Sequence, residues 1–161
     1  MFNLKLLSKI TIVGICLSSC SLIKNEQTYF GFKPSEFNVI VNIDTHGGFH
    51  GDGQMCLILD CSNNVEEAYK NIEGWLRLPL SENLNNFMNK KILLDNGGVV
   101  TFSEWVGWSK ITNGVYYFYN RSNYVDDPYD DSYLTEQYSY NFSAAIYDFD
   151  TNYMHYFEYD S

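Results

Sequence analysis

Two aromatic-rich segments near the C-terminus constrain the fold most strongly. Tyr138–Phe149 and Tyr153–Tyr159 are rich in tyrosine and phenylalanine, and both have the residue preference of β-strands. Only Asp150–Asn152 separates them, and its polar residues are those of a hairpin turn. The sequence therefore predicts an antiparallel hairpin. Because an isolated hairpin is marginally stable in water, this one needs further strands or helices around it.

A second hairpin is predicted near the start of the domain. Glu36–Asp44 alternates between apolar and polar residues, and Gln54–Asp60 is a short apolar run typical of a central strand. Four glycines within Thr45–Gly53 favour a tight loop between them. The residues expected on the buried face of the first strand are Phe37, Val39, Val41 and Ile43.

The middle of the chain predicts two helices. Asn63 followed by Glu66 matches a capping box, and apolar residues then recur at helical spacing as far as Leu76. Ser81 is a suitable N-cap for a second helix over Glu82–Asn89. Further strands are expected at Val99–Trp105 and Val115–Tyr119. The ββααβββ order predicts an α+β fold, with an antiparallel sheet of about five or six strands and two helices on one face.

The N-terminal segment has the pattern of a targeting sequence. Lys5 and Lys9 precede an apolar run, Ile10–Leu17, which would span roughly 12 Å as a helix, against about 30 Å of membrane hydrocarbon. A cleaved secretory segment fits this length better than a transmembrane anchor. The run ends in Leu17-Ser18-Ser19-Cys20, which resembles the lipobox of bacterial lipoproteins.

The lipobox resemblance implies a processing and a location. Residues 1–19 would be removed, and the sulfur of Cys20 would carry a diacylglycerol group. Two acyl chains anchor a protein stably, whereas one is marginal. The expected partner of Cys20 is therefore the membrane, on the extracytoplasmic face of the bacterial envelope. Residues 20–33 are expected to form a lipidated tether, and residues 34–161 a single α+β domain.

The charge balance excludes one class of partner. The chain has 20 acidic and 10 basic residues, a formal net charge of −10, and nine of the acidic residues lie in residues 126–161, which contain no Lys or Arg. Nucleic-acid binding through phosphates needs Lys and Arg, so we expect none. The densest acidic stretch, Asp126–Asp131, is either a solvated loop or a site for a cation or a basic partner.

The glycine-rich loop contains the most unusual set of polar side chains. Its imidazoles and carboxylates are suitable metal ligands, although four glycines argue against a helix that would align the two histidines. The alternative is a structural turn whose polar side chains bond to the backbone or face solvent. No cofactor is otherwise expected beyond a possible divalent metal. The candidate ligands are Asp44, His46, His50 and Asp52.

No familiar catalytic motif accompanies this loop. The chain lacks a Gly-x-Ser-x-Gly elbow, a phosphate-binding loop and a dinucleotide fingerprint. It has 14 Tyr, 11 Phe and 3 Trp, and alternate aromatic residues on the strands are expected to build one core face. The remaining rings either form ordinary surface or line a sheet face that binds a glycan or an envelope protein. The first hypothesis is therefore a non-enzymatic binding module anchored to the envelope. The alternative is a metal-binding protein or metal-dependent enzyme that uses the His46–His50 loop.

Overall fold

The computed structural model describes residues 27–47, 51–94, 96–122, 126–135 and 138–161. Cys20 and His50 lie outside these ranges. Among the described residues, no helix is both long and apolar enough to cross a membrane. The strands are β1 (Asn38–Asp44), β2 (Gly53–Asp60), β3 (Leu76–Arg77), β4 (Lys91–Leu93), β5 (Val99–Thr101), β6 (Gly114–Asn120), β7 (Asn141–Asp148) and β8 (Tyr153–Asp160), and the α-helices are α1 (Val65–Asn71), α2 (Glu82–Met88) and α3 (Phe102–Trp105).

The strands form one large antiparallel sheet and one small one. The large sheet has the order β1-β2-β8-β7-β6-β3, and β4 pairs with β5 in a separate hairpin. Both predicted hairpins are present, because β1 pairs with β2 and β7 pairs with β8. The predicted α+β class and the antiparallel sheet of five or six strands are thus confirmed.

The sheet buries side chains on both of its faces. One face packs against α1 through Ala68 and Ile72, and we call it the α1 face. The opposite face packs against α2 through Leu84 and Phe87, and we call it the α2 face. The prediction that two helices share one face is therefore wrong. The reason lies in β7, where seven consecutive residues are buried, so that each face needs its own apolar cover.

The two helices between β2 and β4 were predicted unequally well. In α2, the Ser81 side chain accepts a hydrogen bond from the Leu84 amide, as expected for its N-cap. In α1 the N-cap is Asn64, not Asn63, and its side chain makes no capping hydrogen bond. The helix also ends at Asn71, and Leu76 belongs to β3 instead.

The segment predicted as one strand over Val99–Trp105 is divided between β5 and α3. Thr101 caps α3 with a complete capping box, in which its hydroxyl accepts from the Glu104 amide and its own amide donates to the Glu104 carboxylate. This box fixes the change from strand to helix at Thr101. The short helix then buries Phe102 on the α2 face.

A β-bulge in β1 overturns the predicted alternation of that strand. Val39 pairs with Leu59, but Val41 pairs with Ile58, so that Ile40 is an extra residue in β1. Val39 therefore lies on the α1 face, whereas Val41 lies on the α2 face. The residues Phe37, Val39, Val41 and Ile43 consequently do not share one face, and β1 is largely exposed at the edge of the sheet.

The folded part of the chain begins before residue 34. Tyr29 and Phe32 form a β-bridge through two backbone hydrogen bonds of 2.8 and 3.1 Å, and both side chains are buried on the α1 face. The N-terminal segment thus covers sheet surface that α1, only seven residues long, leaves open. The predicted tether boundary at residue 33 is therefore too late in the chain.

The two described cysteines are free buried thiols on opposite faces of the sheet. Cys56 packs on the α2 face and Cys61 on the α1 face, which explains why they do not pair. Burial raises the pKa of Cys56 to about 11 and that of Cys61 to about 12. Both thiols therefore act as small apolar core groups at neutral pH.

His155 on the α2 face gives a prediction about pH. Its Nδ1 lies 3.1 Å from the Val106 carbonyl oxygen, and burial lowers its pKa. Above the unfolded pKa of about 6.5 both states are neutral, whereas below it the unfolded chain binds the proton first. His155 therefore lowers the free energy of unfolding as the pH falls through this window, by at most about 1.4 kcal/mol per pH unit.

We expect His155→Gln, which keeps a donor for the Val106 carbonyl, to reduce this pH dependence. The measurement is urea unfolding of both proteins between about pH 7.5 and about pH 5.5. Parallel curves for the wild type and the variant would contradict the role assigned to His155.

Candidate functional site

The glycine-rich loop begins with a tight anchor between β1 and β2. The Thr45 amide donates to the Gln54 carbonyl at 2.9 Å, and the Gln54 amide donates to the Thr45 hydroxyl at 2.9 Å. The same hydroxyl lies 3.0 Å from the Gln54 carbonyl oxygen. These bonds hold the start of the loop against β2 and direct the next residue, His46, back across the sheet.

Gly53 permits this position of His46. A Cβ atom on residue 53 would lie 2.5 Å from the His46 Cα and 2.6 Å from its amide nitrogen, a distance that backbone atoms do not tolerate. Gly53 also pairs with Asp160 at the end of β8. The glycine therefore places the imidazole beside the last residues of the C-terminal strand.

The two ring nitrogens of His46 face carboxylates on opposite sides. Nδ1 lies 2.6 Å from Asp44 Oδ1, and the His46 amide donates to the same oxygen at 2.9 Å. These hydrogen bonds lower the pKa of Asp44. Nε2 lies 3.2 Å from Asp160 Oδ2 and 4.0 Å from Glu158 Oε1. Nε2 is buried and has no hydrogen-bond partner within the described part of the chain.

Arg121 closes the other side of the cluster. It follows β6 directly, and its Nη1 and Nη2 lie 2.8 Å from Glu158 Oε1 and 2.6 Å from Asp160 Oδ1. Nη2 also donates to the Phe142 carbonyl at 3.3 Å. One guanidinium thus holds the two carboxylates of β8 side by side.

Tyrosines surround the inner end of the cluster. The Tyr156 hydroxyl hydrogen-bonds Glu158 Oε2 and lies 2.9 Å from the Ser143 hydroxyl. Burial, followed by the interaction with Glu158, raises the pKa of Tyr156. Burial and the negative charges of Glu158 and Asp44 likewise raise the pKa of Tyr29. Both tyrosine hydroxyls are therefore neutral at neutral pH.

This geometry favours a positive charge beside Nε2 of His46. When Nδ1 donates its proton to Asp44, Nε2 of the neutral ring presents a lone pair to the Asp160 oxygen 3.2 Å away. Two lone pairs at this distance repel unless a proton or a cation lies between them. The three carboxylates also exceed the single guanidinium by two negative charges, which a divalent cation would balance.

The predicted loop residues meet this cluster only in part. Asp44 and His46 belong to it, and His50 lies outside the described residues. Asp52 is exposed, and its backbone carbonyl accepts a hydrogen bond from the Gly47 amide at 3.5 Å. Sequence reasoning missed Glu158, Asp160 and Arg121, although two carboxylates follow buried Met154 and Tyr156 on the same face of β8. This change from apolar to acidic residues along one face of β8 was the feature of the sequence that could have identified the two carboxylates.

The described aromatic residues are mainly core residues, which is the first of the two roles expected for them. Most of the described rings pack within the two cores, because the helices and the N-terminal segment cover both faces of the sheet. An open aromatic sheet face is therefore absent from the described ranges. Part of the acidic stretch Asp126–Asp131 is held against the domain, because Asp131 accepts hydrogen bonds from Ser81 and Asn83 at the start of α2.

Comparison with protein-family models, with curated proteins and with solved structures finds no match to this chain. The function is therefore inferred from the geometry described above.

Gly53→Ala tests whether the loop positions His46 as described. We expect the variant to lower the free energy of unfolding by about 1–3 kcal/mol, because its Cβ would overlap the His46 backbone. Urea unfolding and the imidazole NMR signals of His46 report the two effects. Gly47→Ala is the matched control, since its Cβ would lie 3.9 Å from the nearest atom. Equal effects of the two substitutions would contradict the steric argument.

Proposed function

We propose that this protein is a lipid-anchored binding domain of the bacterial envelope that holds a divalent cation at the His46 cluster. The observation that carries the proposal is the buried Nε2 of His46, which has no hydrogen-bond partner among the described residues and faces Asp160 and Glu158. The proposal joins the binding role expected from the sequence with a modified form of the predicted metal loop.

The ligand set suits a cation that accepts nitrogen and oxygen donors. His46 Nε2 and one oxygen each of Glu158 and Asp160 lie within 4.8 Å of one another. Bonds of about 2.0–2.2 Å to a shared Zn²⁺ need only small rotations of these side chains. Asp44 on Nδ1 would orient the ring and fix its tautomer, as carboxylates commonly do behind a metal-bound histidine.

Arg121 would compete with the cation and would also stabilise the cluster without metal. Its guanidinium lies within 2.8 Å of both ligand carboxylates and offsets their repulsion when no ion is present. A bound cation would take over part of this role. Replacing Arg121 should therefore weaken the fold without metal and strengthen metal binding, and these opposite effects are specific to a cation site.

The limited access to the cluster favours binding over turnover. The side chains of His46, Glu158 and Asp160 are only 14–20% exposed, which admits an ion and water more readily than a large substrate. Glu158 also shares its two oxygens between Arg121 and Tyr156. We therefore favour a binding role over the metal-dependent enzyme that the sequence left open.

The test is isothermal titration calorimetry of the metal-free full chain with Zn²⁺ and with Mn²⁺. We expect one site per chain, lost in His46→Ala and weakened in Asp160→Asn. Asp44→Asn should weaken binding by about 10–100-fold through loss of the orienting hydrogen bond. Asp52→Asn is the matched control, because its exposed side chain lies in the same loop and should leave binding unchanged.

Arg121→Gln provides the second arm of this test. Its thermal unfolding temperature should be below that of the wild type without metal and should rise more on addition of Zn²⁺. Absence of metal binding by the folded wild type would overturn the proposed function. Binding that persists in His46→Ala would assign the ion to another part of the chain.

Cys20 supplies the test of anchoring. We expect Cys20→Ala to move the protein from the membrane fraction to the soluble fraction, because the sulfur that would carry the two acyl chains is removed. Cell fractionation and intact-mass measurement detect both consequences. Cys16→Ala is the control, since Ile15 before it is larger than the small residue that a lipobox has there. Unchanged membrane association of Cys20→Ala would contradict lipidation at this residue.

A further inference from the structure

A cavity of about 290 Å³ opens where β3 ends beside β6. β3 pairs with Val115 and Tyr116, and among the described residues the rest of β6 has a strand neighbour on the β7 side alone. Pro128 of the acidic segment lies beside the end of β6, where its carbonyl accepts a hydrogen bond from the Asn120 amide at 2.7 Å. The cavity therefore lies between a strand edge and the acidic segment.

Aromatic rings form one wall of this cavity. The Tyr129 ring lies edge-on to Tyr117 and to Tyr119, with both centroid distances 5.7 Å. Trp75 stacks against Tyr117 at 5.7 Å with an interplanar angle of 30°, which holds the Tyr117 ring in place. Tyr129 itself is 59% exposed, so its ring remains available to a ligand. The wall is thus preformed, with one accessible ring at its entrance.

Carboxylates form the opposite side. Asp131 is held by Ser81 and by Asn83, the latter donating to Oδ1 at 3.2 Å. Asp130 Oδ1 accepts a hydrogen bond from the Ser132 amide at 2.9 Å, which fixes this carboxylate at the rim. Two carboxylates and no Lys or Arg line the cavity among the described residues. Its electrostatic potential therefore favours a cation and disfavours an anion.

We propose that this cavity binds an organic ammonium ion. Ring faces attract a positive charge through their quadrupoles, and quaternary ammonium groups are bound by aromatic cages in this way. The carboxylates of Asp130 and Asp131 also attract a positive charge, which adds to the attraction of the rings. A volume of about 290 Å³ lies just below the range for small-molecule sites, which begins at about 300 Å³, and therefore suits a small ligand.

This cavity differs from the His46 cluster in its residues and in its chemistry. The cluster presents an imidazole nitrogen and carboxylate oxygens, beside which Tyr156 contributes its hydroxyl, and it suits a small ion that coordinates directly. The cavity combines Tyr117, Phe118 and Tyr129 with charge at the rim, which suits a bulky, weakly hydrated cation. The inference is therefore independent of the proposed metal site.

The experiment compares choline with its neutral isostere 3,3-dimethyl-1-butanol, by NMR titration of the full chain. Both molecules have the same shape, so a difference in affinity measures the contribution of the charge. We expect choline to bind at least about tenfold more tightly. Phosphocholine is the headgroup form of the same ammonium ion and carries a negatively charged phosphate. Because the rim carboxylates repel this phosphate, we expect phosphocholine to bind more weakly than choline. That result would identify a free ammonium compound, and not a lipid headgroup, as the ligand.

Three substitutions locate the binding to this cavity. Tyr129→Leu should weaken choline binding roughly tenfold, whereas Tyr129→Phe, which keeps the ring, should retain it. Asp130→Asn should weaken choline binding severalfold and leave the neutral isostere unaffected. Tyr138→Leu is the control, because Tyr138 is a fully exposed tyrosine that does not line the cavity.

Two results would overturn the proposal. Equal affinity for choline and for the neutral isostere would identify an apolar cavity with no preference for cations. Absence of choline binding by the folded wild type would exclude the ammonium site altogether. Thermal unfolding of each variant shows whether lost binding reflects lost folding, and the exposed Tyr129 should tolerate both substitutions.

Discussion

The pairing of β7 with β8 is the interaction on which the rest of the structure depends. The two strands are in register over eight residues, from Asn141 opposite Asp160 to Asp148 opposite Tyr153. Both strands lie inside the sheet, and β7 is buried on both faces. Because this hairpin has two apolar surfaces, helices and the N-terminal segment must cover both. The layered arrangement therefore follows from the composition of the C-terminal strands.

The same register also determines where the polar cluster forms. Along the α1 face of β8, buried Met154 and Tyr156 are followed by Glu158 and Asp160 near the end of the strand. The apolar core is thus followed by charged residues at the C-terminal end of β8, which the glycine-rich loop reaches. Arg121 meets these carboxylates because it follows β6, two strands away in the sheet. Partly buried charges are tolerated at this point because they are paired.

Local patterns predicted the five longer strands (β1, β2, β6, β7 and β8) and the second helix, but not β3, β4, the change from β5 to α3 or the contacts between distant segments. The hairpin turn at Asp150–Asn152 and the Ser81 cap depend on a few neighbouring residues, and both are present in the structure. The bulge at Ile40 depends on how β1 meets β2, so alternation alone could not reveal it. Thr101 followed by Glu104 was a readable capping box that the apolar run obscured. His46 and Asp160 are more than 100 residues apart, and only the strand order brings them together.

The acidic composition affects both proposed cation sites and the proposed lipid anchor. A net charge of −10 lowers the potential around the whole domain and concentrates cations near its surface. This general attraction does not distinguish one cation from another, so selectivity must come from the lining of each site. Directly coordinating nitrogen and oxygen atoms around His46 favour a metal ion, whereas ring faces around Tyr129 favour an organic cation. The same charge repels an anionic membrane, so a lipid on Cys20 rather than the domain surface would provide the attachment.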